Sequence, residues 1–76
     1  MITVHLYGLL RIESGIRKKQ FSAATVKEVL DNLALCGIDR KELNGCVIFV
    51  NGKPATKRSK LTDGDAVVLM SPVAGG

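Results

Sequence analysis

Only one stretch of this chain has the spacing of a substantial amphipathic helix, and that limits every fold open to it. The stretch begins at Thr25. Thr25 and Glu28 form a T-x-x-E capping box, in which hydroxyl and carboxylate satisfy orphan backbone donors of the first turn. Val26, Val29, Leu30 and Leu33 follow at i, i+3, i+4 and i+7, one apolar stripe suited to lie on a sheet. Gly37 supplies the left-handed stop. A single helix covers one face of a sheet, so the opposite face is left to solvent or to a partner.

The rest of the chain reads as that sheet. Residues 2–7 alternate Ile, Val and Leu with Thr, His and Tyr, the period of a half-buried strand. Residues 8–15 form a connection with Leu9 and Leu10 inside it, two leucines that need burial in the core or against a partner. Residues 16–21 return as a polar second strand, whose Arg17, Lys18 and Lys19 discourage edge-to-edge pairing. After the helix, residues 39–43 suggest a short helical turn. Residues 46–50 are apolar at every position, as expected of a central strand covered on both sides. Asn51-Gly52 is a strong hairpin signal, with a brief return strand over 53–55 and an exposed basic loop over 56–60. Leu61 is an apolar plug ahead of the Asp63-Gly64 turn, which feeds a last apolar strand over residues 66–70. The order predicts an α+β domain: a mixed sheet of four to five strands with one helix across one face.

Seventy-six residues make one small domain, and 46% hydrophobic with 24% charged residues describes a globular chain. No apolar run approaches the length of a membrane span, and no signal peptide is visible, so a cytoplasmic home is expected. Cys36 and Cys46 fit neither a CxxC metal site nor a disulfide framework and read as small buried hydrophobes. The net charge of +4 concentrates in residues 17–19 and 57–60. Without an aromatic platform beside them, these clusters suit a solvated face or steering toward an acidic protein better than nucleic acid. His5 is the only histidine, has no neighbouring carboxylate in sequence, and reads as structural or surface.

The chain closes on Ser71-Pro72-Val73-Ala74-Gly75-Gly76, directly after the last strand. Pro72 lacks an N–H and ends regular pairing. The six residues carry no charged side chain and, fully extended, reach roughly 20 Å at about 3.3–3.6 Å per residue. Gly75 and Gly76 place no Cβ near a terminal carboxylate, which can then enter a channel too narrow for other residues. The bland alternative is a frayed end. A packed strand and a proline stop immediately before the pair favour a functional tail over residues 70–76.

The element order, the Leu61-Thr62-Asp63-Gly64-Asp65 segment, the Val50-Asn51-Gly52 hairpin and the Pro72-Val73-Ala74-Gly75-Gly76 ending together resemble the ubiquitin-like β-grasp sulfur carriers of the MoaD/ThiS type. The likeness spans the whole chain as one sulfur-carrier domain, 1–76. The ending and the Leu9-Leu10-Arg11 segment look more like the small subunit of molybdopterin synthase. Thiamine carriers usually show an early Asn-Gly hairpin after the first strand, where this chain has Gly8 without Asn. The compact middle, however, lacks the fuller helical region of many molybdopterin-type members.

The resemblance implies a carrier and co-substrate, not an enzyme, whose Gly76 carboxylate is adenylated and becomes a thiocarboxylate. It implies no bound cofactor or metal, ATP being used by a ubiquitin-activating-type adenylyltransferase. The sulfur would pass to a molybdopterin-synthase large subunit or to a thiazole synthase, with neither nucleic acid nor membrane involved. Pro72, Val73, Ala74 and Gly75 would thread the tail into the partner. By the same resemblance Val47, Phe49, Val67 and Leu69 face the helix, and Ile48, Val68 and Met70 face outward as a docking patch, with Leu9 and Leu10 beside it. Two alternatives share much of this pattern: a ubiquitin-like modifier joined to lysines through Gly76, and a β-grasp binding module with an inert tail.

Overall fold

The computed structural model describes residues 1–71. Its elements are β1 (Ile2–Tyr7), α1 (Leu9–Ser14), β2 (Lys18–Phe21), α2 (Val26–Leu35), α3 (Arg40–Gly45), β3 (Val47–Val50), β4 (Lys53–Pro54) and β5 (Ala66–Met70). The five strands lie in the order β2-β1-β5-β3-β4. β1 and β5 pair in parallel at the centre, and the other pairs are antiparallel. This is the expected mixed sheet, with α2 packed across one face.

The helix forms as its sequence dictates. Thr25 is extended at the N-cap, and its Oγ1 accepts from the Glu28 N–H at 3.3 Å. The Glu28 carboxylate receives the Thr25 hydroxyl. Two further N–H groups of the first turn, on Val26 and Lys27, donate to the carbonyls of Ser59 and Lys57, each at 3.0 Å. The basic loop is therefore fastened across the start of the helix, although its side chains remain in water. At the other end Gly37 takes φ 100°. Its N–H donates to the Ala34 carbonyl and the Ile38 N–H to the Leu33 carbonyl, while Ile38 is buried against the core. Both hydrogen bonds and the apolar contact are those of a Schellman stop.

Val26, Val29, Leu30 and Leu33 face Ile2, Val4 and Leu6 of β1 and Val67 and Leu69 of β5, all of them buried. Leu61 plugs the same core. At the Asn51-Gly52 turn both residues have positive φ, 51° and 82°, as a tight type I′ hairpin requires. Asn51 also reaches back to the start of β5. Its side-chain oxygen accepts from the Ala66 N–H and its Nδ2 donates to Asp65 Oδ1, both at 2.9 Å. Asp65 Oδ2 accepts the Thr62 N–H at 2.9 Å. The Thr62 N–H and the Asn51 amide hold the Asp65 carboxyl below its ordinary value.

Several expectations need correction. The connection over 8–15 contains a helix, α1, closed by Gly15 in the left-handed region, whose N–H donates to the Arg11 carbonyl. Leu10 is buried beneath it, so it belongs to the core rather than to a docking patch. β2 starts at Lys18, and Ile16 packs on the core without joining the strand. Cys36 is exposed, just past the end of α2. β3 is covered on one face only, and its parity is the reverse of that expected. Ile48 lies opposite Leu69 and is buried, at 8% exposure, whereas Val47 lies opposite Met70 and Phe49 opposite Val68. An unbroken apolar run has no alternation to show which side faces in.

Candidate functional site: an apolar face at the root of the tail

The registers build the face opposite α2 row by row. Tyr7 of β1 pairs with Met70 of β5, and Met70 with Val47 of β3. These three side chains form one row across the outward face, exposed by 44%, 41% and 43%. The next row is His5, Val68 and Phe49, half-buried, with Pro54 beyond Phe49 on β4. Thr3 and Ala66 form the third row. On the β2 side, Lys18 lies opposite His5 and Gln20 opposite Thr3, where the Gln20 amide donates to Thr3 Oγ1 at 3.1 Å. No carboxylate belongs to these rows.

The most exposed row is also the one nearest the tail, because Ser71 follows Met70 directly. Leu9, 43% exposed, stands just past the end of β1. A hollow of about 180 Å³ opens beside them, lined by Leu9, Lys41, Glu42, Gly45 and Ser71. The neighbouring Glu13 carboxyl holds the Glu42 carboxyl above its ordinary value.

Of the residues expected to bind a partner, Val68, Met70 and Leu9 lie on or beside this surface. Ile48 and Leu10 do not; both are in the core. Tyr7 was not expected on this face, and Val47 and Phe49 were expected to face α2 but lie in the outer rows. Tyr7 was recoverable, since it shares parity with Thr3 and His5 and so faces away from the aliphatic side of β1. Val47 and Phe49 carried no local signal and needed the β3–β5 register. The residues expected to thread and react, Pro72, Val73, Ala74, Gly75 and Gly76, lie outside the described residues.

The rows are largely apolar, and neither cysteine belongs to them. Cys46 is half-buried, burial pushes its thiol up, and its Sγ donates to the Leu43 carbonyl at 2.9 Å. Exposed Cys36 accepts from Lys19 Nζ at 2.9 Å, well away from these rows on the α2 side. Among the described residues no group of three or more His, Cys, Asp or Glu is placed to hold a metal. None of the described helices is long and apolar enough to cross a membrane.

A sequence profile of the ThiS family matches residues 4–76. The chain belongs to the ThiS family. It is thus a member of a family of small sulfur-carrier and ubiquitin-like proteins, of the MoaD/ThiS type. A comparison with curated proteins finds no significant sequence match. Among solved structures, this ThiS-family chain is similar to SAMP1 from Haloferax volcanii, with TM-score 0.81 and 24% identity over 99% of this chain and 98% of that one. It is similar to a chain of the BexX/CysO complex of Amycolatopsis orientalis, with TM-score 0.77 and 21% identity over the whole of both. It also resembles a chain in the complex of subunits 1 and 2 of the molybdopterin-converting factor from Helicobacter pylori, with TM-score 0.68 and 24% identity over 99% and 97%. At these identities the likeness establishes the ubiquitin-like β-grasp fold.

Proposed function

We propose that this chain carries sulfur on the carboxyl group of Gly76 and delivers it to molybdopterin synthesis. The observation that carries the reading is the exposed row of Tyr7, Met70 and Val47 at the root of the Gly-Gly ending, in a ThiS-family fold. A carboxylate with a pKa near 3.5 is an anion at neutral pH and a poor electrophile. Attack of its oxygen on the α-phosphorus of ATP releases pyrophosphate and gives an acyl-adenylate. A sulfur donor then adds to the carbonyl carbon and AMP leaves, opening the route to a thiocarboxylate. An adenylating enzyme performs these steps, and the chain contributes a docking face and a thin, reactive end. The Pro72-Val73-Ala74-Gly75-Gly76 ending and the Leu9-Leu10-Arg11 segment favour molybdopterin over thiamine as the destination, and the likeness to the molybdopterin-converting factor chain agrees with it.

Incubation with the adenylating enzyme, ATP and a sulfur donor should give the intact mass of one oxygen-for-sulfur exchange at Gly76. Removing Gly76, or Gly75→Val, should abolish ATP–pyrophosphate exchange with an unchanged melting temperature. A fully active truncated protein would overturn the reading. The likeness to SAMP1, a small archaeal modifier protein, supports a second reading, conjugation to lysines through Gly76. Branched Gly-Gly on target lysines in cell extract, without free thiocarboxylate, would establish it instead.

A further inference from the structure

β1 and β5 run in parallel and their last paired residues are Tyr7 and Met70, so Gly8 and Ser71 leave the sheet side by side. There the two strands part. Gly8, at φ 68°, turns β1 into α1, and a Cβ on it would lie 3.5–3.6 Å from the Cβ, N and O of Ser71. Gly8 occupies the N-cap of α1 and has no side chain with which to cap it. The Arg11 and Ile12 N–H groups both turn to the Gly8 carbonyl, each at 3.1 Å. The Leu10 N–H, on a buried residue, donates to the Ser71 hydroxyl at 2.9 Å, across 61 positions of sequence. The cap that Gly8 cannot provide therefore comes from the first residue after β5.

We propose that Ser71 is a positioning residue for the reaction at Gly76: its hydroxyl, held by the Leu10 N–H, fixes the direction in which the chain leaves the sheet relative to the apolar docking row. Docking by Tyr7, Met70 and Val47 determines where the body sits on the partner. Only a root of fixed direction then brings a carboxylate five residues further on to one place in an active site. This inference rests on the carrier reading. Loss of the hydroxyl should leave docking intact and misplace the reacting end, which lowers turnover and not affinity.

The test compares the wild-type chain, Ser71→Ala and Ser71→Thr in ATP–pyrophosphate exchange with the adenylating enzyme, below the melting temperature of each. Ser71→Ala should lower kcat about tenfold, in line with the cost of small misplacements, and keep KM within about twofold. Ser71→Thr, which keeps the hydroxyl, should restore kcat. If Ser71→Ala folds poorly, Ser71→Thr against Ser71→Val asks the same question of two side chains of equal shape. An arm independent of the enzyme reads NMR dipolar couplings at the Ser71 amide against those of β5. They should shrink in Ser71→Ala and return in Ser71→Thr. Unchanged kcat, a rise in KM alone, no rescue by Thr, or identical couplings in all variants would overturn the proposal. Failure of the wild-type chain to exchange pyrophosphate, with couplings that do respond to Ser71, would instead overturn the carrier reading.

Discussion

Both faces of the sheet carry apolar side chains, but only one of them is covered. Toward α2, Val4, Leu6, Val67, Leu69 and Ile48 are buried, and the helix stripe closes over them. Away from it, Tyr7, Met70 and Val47 are as apolar and remain open to solvent. The inner face is satisfied within the chain; the outer one is not, and an apolar row on an open sheet suits a protein partner. In β3 and β5, position relative to α2 and not hydrophobicity separates buried from exposed.

The sharpest way to break this comparison is to place the same charge on both faces. Ile48→Asp should cost roughly 4 kcal/mol or more, enough to unfold a small domain, because its carboxylate would be buried without a partner. Val47→Asp, one residue away, should leave the denaturation midpoint nearly unchanged. The reverse order of midpoints would show that β3 lies in the other register. Met70→Asp should weaken binding to the adenylating enzyme by more than about 1 kcal/mol in calorimetric titration, with the fold intact. Normal affinity would remove the outer face from the docking reading. Thr25→Ala should cost about 1 kcal/mol, measured by chemical denaturation, through loss of the cap that seats α2 on the inner face.

The smallest effect concerns the turn that holds β5 in register. The Asp65 carboxyl is depressed in the folded state by the Thr62 N–H and the Asn51 amide, so its contribution is present above the unfolded value of about 3.9. That contribution should fade as pH falls through the lower folded value. The stability of Asp65→Asn should accordingly vary less with pH below about 4 than that of the wild type. Parallel acid profiles for the two proteins would assign the sensitivity to other carboxylates.

What was legible in the sequence was local. Thr25, Glu28 and Gly37 mark α2 because capping acts over three or four residues, and the parity of β1 followed from its alternation, whereas that of β5, an unbroken apolar run, came from the family resemblance. Ile48 was misplaced because the apolar run 46–50 takes its orientation from β5, twenty residues away. α1 escaped notice because six residues are too few for a helical period, and because Gly8 and Gly15 look like loop residues until their capping geometry is seen. The clamp of Ser59 and Lys57 on α2 uses backbone carbonyls, which every residue has. The candidate docking row divides the same way: Leu9 could be found from the chain and Met70 and Val68 from the resemblance, whereas Val47 and Phe49 required pairing.

The central place of β5 has a consequence for how the protein is made. β1 with β2 and β3 with β4 can each form as soon as they are synthesised, but they share no partner until residues 66–70 arrive between them. The sheet therefore cannot close on a growing chain while β5 is still inside the ribosome. A product that stops short of Met70 would leave two half-sheets with open edges. A partner that recognises the row of Tyr7, Met70 and Val47 therefore meets only chains in which β5 has joined the sheet.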